Sequence, residues 1–281
     1  MTPTIPKSEP RPPDLIREHY LIEKGLAERL RHASREERKV LYTALYDELY
    51  RRVPAHPQLT RKANPEAQAR AVAGRMTVLG KFLHRDATFL EVGPGDCALA
   101  LEVARLVRQV YAVDVSEEIG KGLELPSNFE RVISDGCSIP VAEASVHVAY
   151  SDQLIEHLHP EDALEQLRNI HRALVAGGVY ICITPNSLSG PHDISGYFDE
   201  VATGFHLREY TVTELAKIFR ATGFRKVRVL AGAKGFQLAL PVGLVSLTER
   251  ALRVLPHRLR KRVSGELPLR LILGISLVAT K

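Results

Sequence analysis

The run Glu91-Val92-Gly93-Pro94-Gly95-Asp96-Cys97-Ala98 puts two glycines and two carboxylates at the junction of an apolar strand and a helix. Gly93-x-Gly95-x-x-Ala98 formally satisfies the dinucleotide fingerprint, in which glycines let a ligand approach the backbone closely. Asp114 follows 21 residues after Gly93, at the end of the next strand, where an acid can accept both hydroxyls of a ribose. Any adenosine ligand meets those requirements, so the neighbouring charges must separate the candidates. A pyrophosphate needs the uncancelled N–H dipoles of a helix start, which Asp96 opposes and Glu91 opposes further. S-adenosylmethionine instead carries an ammonium and a sulfonium beside its ribose, and the same two carboxylates attract it. Each acid also has a plain structural alternative, Asp96 as a partner for free helix N–H groups and Glu91 as a strand-end charge.

The elements that position this run follow from periodicity. Residues 1–13 hold five prolines and no apolar cluster, and are expected to be a disordered lead-in. From Asp14 to about Val53, Leu15, Leu21, Leu26, Leu30, Leu41, Leu45 and Leu49 recur at helical spacings, so residues 14–63 form a helical extension. Asn64-Pro65-Glu66 reads as an N-cap with proline at the first helical position, opening a helix to about Leu83 and a domain over 64–281. Strands Thr88–Val92, Gln109–Val113, Glu130–Ser134, Val146–Tyr150 and Val179–Thr184 then alternate with helices, which predicts an α/β doubly wound, mostly parallel sheet. A capping box at Thr211–Glu214 starts another helix before a strand at Lys226–Ala231, and Leu271–Thr280 supplies a last one.

Composition narrows the function classes. Apolar residues make up 45% and charged residues 25%, the balance of a globular protein rather than a disordered one. Residues 241–281 carry eight Lys/Arg against two Glu, so the formal charge of +5 is concentrated there and no chain-wide basic surface offers itself to nucleic acid. Cys97, Cys137 and Cys182 are widely spaced in apolar surroundings, as expected for reduced core thiols in a cytoplasmic protein; no metal is expected. Leu267–Ala279 is too short to cross a bilayer.

The residues resemble the class I S-adenosylmethionine-dependent methyltransferases over about Asn64 to Gly232 and the terminal strand. Glu91–Asp96 is similar to the family's first motif and Asp114 to its ribose-binding acid, with Val115 beside it. Asp135-Gly136 resembles the acid that reads the adenine amino group, with Cys137 close to the ring. Tyr150–Leu158, holding Ser151 and Gln153, is similar to the segment after the fourth strand that lines the methyl-transfer centre. Leu174-Val175-Ala176-Gly177-Gly178 matches the turn before the fifth strand, with Ala176 where proline is common. The resemblance implies S-adenosylmethionine as cofactor and a Rossmann-like sheet of seven strands whose last is antiparallel, leaving 241–267 as an insertion. Thr184-Pro185-Asn186 and Gly190–Asp193 bear a looser resemblance to bacterial methyltransferases of glycan and cell-surface polysaccharide assembly, which implies a sugar hydroxyl as acceptor.

Methyl transfer is a direct displacement at an activated carbon, so the protein aligns the acceptor and, for a hydroxyl, removes its proton. His206, His157 and His192 are the candidate bases because imidazole titrates near neutral pH; each has a structural alternative as a loop hydrogen bonder. His192 and His206 lie in the long polar connection 184–210, of a length that is uncommon without a function. Tyr197, Phe198, Phe205 and Tyr210 either touch the acceptor or pack that loop. Val242–Val263, broken at Pro256, is expected to be a helical lid whose Arg258, Arg260, Lys261 and Arg262 form either an ordinary solvated face on a packed insertion or a surface that docks an anionic membrane or lipid-linked acceptor. The competing functions are an NAD-dependent dehydrogenase, opposed by Asp96, and a methyltransferase-like module that binds the nucleotide without catalysis.

Overall fold

Local chemistry sets the helix starts of this chain, as a computed structural model describing residues 5–6, 9–57, 59, 64–116, 124–233, 236–267 and 269–281 shows. Residues 1–4 and 7–8 of the lead-in, 60–63 of the polar run before Asn64, and Pro268 lie outside the described residues. Helix α1 (Pro13–His32) leads into α2 (Arg35–Arg52) through Ser34, which accepts from the Glu37 N–H while the Glu37 carboxylate accepts from Ser34. Helix α3 (Pro65–Leu79) begins as expected, with the Asn64 side chain accepting from the Ala67 N–H. It stops four residues short of Leu83, where the Phe82 N–H turns back onto the Leu79 carbonyl.

Strands β1 (Thr88–Val92), β2 (Gln109–Asp114), β3 (Phe129–Ile133), β4 (Val146–Asp152) and β5 (Leu174–Thr184) pair in parallel in the order β3-β2-β1-β4-β5. Every residue of β1 is buried, as helices on both faces of a parallel sheet require. Strand β6 (Arg225–Ala233) and the terminal β8 (Ile275–Thr280) complete the expected pattern, β8 running antiparallel between β5 and β6. The sheet has eight strands, not the expected seven. The additional β7 (Phe236–Pro241) folds back along the outer edge of β6, pairing Leu230 with Ala239, before the chain enters the insertion. The terminal strand also starts at Ile275 instead of Leu271, because Leu269–Leu273 forms a short helix.

Helix α4 (Ala98–Ala104) and α3 cover one face of the sheet, sealing Phe89, Leu99, Val103 and Val110. Helices α5 (Pro160–Ala173), α6 (Val212–Ala221) and α7 (Val242–Arg253), with α1 and α2, cover the other, around Leu45, Leu90, Leu167, Tyr180 and Phe219. Helix α8 (His257–Gly265) follows the break at Pro256, which has no N–H to continue α7. The extension is tied to the domain by a buried cluster. Arg38 of α2 grips Asp162 of α5 with Nε and Nη2 at 2.6 and 2.8 Å, and the Tyr42 hydroxyl donates to the same carboxylate at 2.7 Å. The three cysteines are buried and free. No helix among the described residues is long and apolar enough to cross a membrane.

Candidate active site

The loop after β1 is shaped by left-handed backbone at Gly93 (φ 71°) and Gly95 (φ 56°), conformations that glycine adopts without penalty. The Gly93 N–H donates to the Val113 carbonyl, and the Pro94 carbonyl accepts from Cys97. A Cβ at Gly93 would press on the Leu154 side chain at 3.0 Å, whereas one at Gly95 would meet nothing within 4 Å. Gly95 therefore faces open space in which a ligand can lie on the backbone. Asp114 closes the loop: Oδ2 accepts from the Gly95 N–H at 3.3 Å and Oδ1 from the Val115 N–H at 2.7 Å.

The carboxylates around this loop favour a cation. Glu91 is 5% exposed and its Oε2 is buried with no hydrogen-bond partner. Burial, with the negative charges of Asp152 and Asp96, pushes its carboxyl up to about 8 against the pull of Arg75. Arg75 itself is engaged by Asp152 at 2.7 Å. Asp96 Oδ1 accepts from the Ala98 N–H at 3.1 Å and Oδ2 from Gln68 at 2.8 Å, so the helix N–H that a pyrophosphate would use is already occupied. Gly93, Pro94, Gly95, Asp96, Asp114, Val115 and Gln153 line one large cavity; Glu91 and Ser151 stand behind its wall, the latter with its hydroxyl paired to Tyr180 at 2.7 Å. Asp135 does not line it. Its Oδ1 accepts from the N–H groups of Cys137 and Ser138 and its Oδ2 from the Ser138 hydroxyl. Burial raises that carboxyl, but these hydrogen bonds outweigh it and hold it below the usual carboxylate range. Ser134 and Gly136 present the turn to the cavity, while Cys137 is buried away from it.

The same cavity, of about 1660 Å³, reaches the connection between β5 and α6. Small-molecule sites usually occupy about 300–1,000 Å³, so there is room for a cofactor and an acceptor together. His157 and His206 stand on this wall with their rings 4.8 Å apart, edge to face. His206 Nδ1 lies 2.7 Å from Glu209 Oε1; the same carboxylate takes the His192 N–H at 2.7 Å and faces its Nδ1 at 3.2 Å. Burial alone would raise the Glu209 carboxyl, yet its bonds to His192 and His206 bring it down to about 2. Burial lowers the His206 ring, and the Glu209 bond with the charges of Glu156 and Asp193 more than reverses this, leaving it above its ordinary value. His157 is pushed down to about 3 by burial and by His206, and Glu156 up to about 7 by burial. Glu209 was not singled out from sequence, although its position three residues after His206 is a usable signal.

The two N-terminal helices hold this wall in place. Arg31 of α1 donates to the carbonyls of Thr203, Gly204 and His206, and Glu23 accepts from the Phe205 N–H at 2.9 Å. Tyr20 stacks on Phe198 and Tyr46 on Phe205, at centroid distances of 4.2 and 4.7 Å, so these loop aromatics pack. Tyr210 is buried at the loop's end. Described residues of the lead-in join them: Glu9 pairs with Arg11 at 2.8 Å and accepts from the Tyr197 hydroxyl, and both acid and base line the cavity. Opposite, α8 brings His257, Arg258, Lys261 and Arg262 to the cavity's edge, whereas Arg260 does not line it.

Residues 90–182 match a family described as a methyltransferase domain. No curated protein matches the chain. Among solved structures, a chain of the complex containing the Haloferax volcanii Trm112 methyltransferase activator is 15% identical, with a TM-score of 0.53 over 76% of this chain and 91% of that one. A SAM-dependent methyltransferase from Archaeoglobus fulgidus is 19% identical, with a TM-score of 0.50 over 76% and 94%. Phosphoethanolamine N-methyltransferase 1 of Haemonchus contortus, solved with phosphoethanolamine and S-adenosylhomocysteine, is also 19% identical, with a TM-score of 0.50 over 68% of this chain and 41% of that one. At such identities these neighbours speak for the fold, and the family match speaks for the domain. Residues 90–182 thus match a methyltransferase domain, and the chain shares the fold of solved S-adenosylmethionine-dependent methyltransferases.

Proposed function

We propose that this protein is a cytoplasmic enzyme that methylates an oxygen of a small molecule or glycan intermediate bearing an anionic group. The observation carrying this reading is that one cavity joins the carboxylate-flanked glycine loop, the His206–Glu209 pair and the uncompensated cations of α8. Gly93, Pro94, Gly95 and Val115 would form the backbone cradle for the cofactor, Asp114 would accept its ribose hydroxyls, and Glu91 and Asp96 would set a negative potential beside its cationic end. Asp135, Gly136 and Cys137 would shape the adenine edge through their turn, and Ser151 and Gln153 the path toward the acceptor. When bound, S-adenosylmethionine supplies a methyl on a sulfonium, leaving as the thioether while the acceptor oxygen gains the methyl and gives up its proton.

The chain's own part is alignment and proton removal. His206, whose Nδ1–H is held by Glu209, turns Nε2 to the hydroxyl, in the arrangement by which a carboxylate fixes an imidazole tautomer. His157 braces the His206 ring from the side, and His192 shares Glu209 at the solvent edge. Arg258, Lys261 and Arg262 form no ion pair or hydrogen bond among the described residues, so their charge is available to an anionic acceptor or the surface that carries one. The test is incubation of a cell extract with the protein and isotopically labelled S-adenosylmethionine, followed by mass spectrometry. The expected product carries the labelled methyl on oxygen in an anionic compound and is lost with His206→Gln. A product labelled on nitrogen or carbon contradicts the oxygen assignment, and the absence of labelled product beside intact cofactor binding favours the non-catalytic module.

A further inference from the structure

We propose that Glu156, His157 and His206 together bind a divalent transition-metal ion on the acceptor wall of the cavity. One ligand atom from each of the three lies within 4.8 Å of the other two. Hydrogen bonds outside the cluster show which atoms are left for an ion. His157 Nδ1 sits 3.1 Å from the Phe205 carbonyl, which only accepts, so Nδ1 carries the proton and Nε2 is the bare nitrogen. His206 Nδ1 donates to the Glu209 carboxylate, so in the neutral ring Nε2 is the nitrogen an ion would take. Glu156 is 0% exposed; its Oε2 accepts from the Thr184 hydroxyl at 2.8 Å, while its Oε1 is buried with no partner.

Two imidazoles and a buried carboxylate thus bring ligand atoms within 4.8 Å of one another, and with one ring nitrogen of each histidine and Glu156 Oε1 left over they suit a cation between them. Neutral imidazole and carboxylate together suit zinc, iron(II), manganese or cobalt. Outer hydrogen bonds to Glu209, the Phe205 carbonyl and Thr184 hold all three ligands, as metal-bound side chains require. Because His157 and His206 also line the cavity, a three-ligand site here would leave coordination positions for an acceptor, the pattern of catalytic rather than structural sites.

A second group with the same composition, His19, Glu23 and His56, fails the same reasoning. There Arg11 donates to His19 Nδ1 at 3.0 Å, so the His19 proton sits on Nε2 and goes to Glu23 at 2.8 Å. Both nitrogens are satisfied, and the adjacent guanidinium repels a cation.

The metal assignment departs from the expectation of no metal and rests on the acceptor-site reading above. An ion at this place would take the His206 Nε2 lone pair, replacing the direct proton removal by His206 described above; it would hold the acceptor hydroxyl and make it more acidic, the proton passing to solvent. The experiment uses the full chain stripped with a chelator, then loaded with Zn²⁺ for elemental analysis or Co²⁺ for visible absorption. The expected result is about one ion per chain, with Co²⁺ bands of nitrogen and oxygen ligation. Glu156→Gln, which keeps the Thr184 bond, and His206→Gln should each weaken binding at least about 100-fold, while His19→Gln leaves it unchanged. Zn²⁺ should raise the melting temperature of the wild type and not of Glu156→Gln, a readout independent of activity. No ion retained by the wild type, or equal retention by Glu156→Gln, overturns the assignment. If no ion binds and oxygen methylation persists with chelator, the metal site falls and the proposed function stands. If the ion binds as expected and no hydroxyl is methylated, the site stands and the acceptor reading falls.

Discussion

Glu91→Gln keeps the shape of the first motif while removing its charge, and the proposed placement of Glu91 beside the cofactor sets what that charge should do to affinity. In the ligand-free protein burial holds the Glu91 carboxyl near about 8, with Oε2 unpartnered. At neutral pH only about one molecule in ten then carries the ionised form. A cationic ligand binds best to that form, so deprotonation must accompany binding, at a cost of about 1.4 kcal/mol for each pH unit below the carboxyl's midpoint. The bound state holds fewer protons than the free one, and affinity therefore rises with pH. Between about pH 5.5 and 7.5, below the range in which the ligand's own α-amino group titrates, S-adenosylmethionine should bind about tenfold tighter per unit. Titration calorimetry in buffers of different ionisation enthalpy should find close to one proton released per cofactor, and Glu91→Gln should flatten both the pH dependence and the release. The same raised carboxyl works against the apo fold as pH climbs: the folded state keeps a proton that the unfolded chain gives up above 4.5, so stability declines from there toward about 8. A wild-type affinity that is flat across this window, with no proton released, refutes the placement of Glu91 beside the cofactor's cation.

Other outcomes follow from the acceptor wall and its supports. His206→Gln should lower kcat by about 100-fold with cofactor affinity unchanged; near-normal turnover means that alignment alone carries the reaction. Changing Arg258, Lys261 and Arg262 together to Gln should raise KM for an anionic acceptor or abolish sedimentation with anionic vesicles, without affecting cofactor binding; a wild type with no salt-sensitive association contradicts this. Asp162→Ala leaves the buried Arg38 guanidinium with only Glu161 and the Ala33 carbonyl and the Tyr42 hydroxyl without its acceptor, and should cost about 1–3 kcal/mol in denaturant unfolding; no measurable loss would show that the cluster does not anchor the extension.

What the sequence disclosed depended on how local each cause was. Asn64-Pro65 and Thr211–Glu214 announce their helices because the cap and the N–H it satisfies lie within a turn of each other. Pro256 splits the insertion for an equally local reason, the missing N–H. The Gly93–Gly95 turn and Asp114 were likewise readable, as consecutive strand ends in a parallel sheet. The Asp135 carboxylate was not, because its turn can use the acid for its own N–H groups and only three dimensions reveal which way it points. β7 escaped notice because its pairing with β6 decides it, not its short run of residues. The acceptor wall was legible only as a list of histidines. Arg31 and Glu23 hold that loop from about 180 residues away in sequence, and the Glu156–His157–His206 convergence exists only once α1 and the loop are packed together.

The most direct test of the account is calorimetric titration of the wild type and of Asp114→Ala with S-adenosylmethionine and, separately, NAD. Asp114 orders the loop through Gly95 and Val115 and would receive the ribose, so its loss should weaken S-adenosylmethionine by about 10- to 150-fold, equivalent to about 1.5–3 kcal/mol, in a protein that remains folded. Equal binding by the two proteins, or tighter binding of NAD than of S-adenosylmethionine to the wild type, would contradict it.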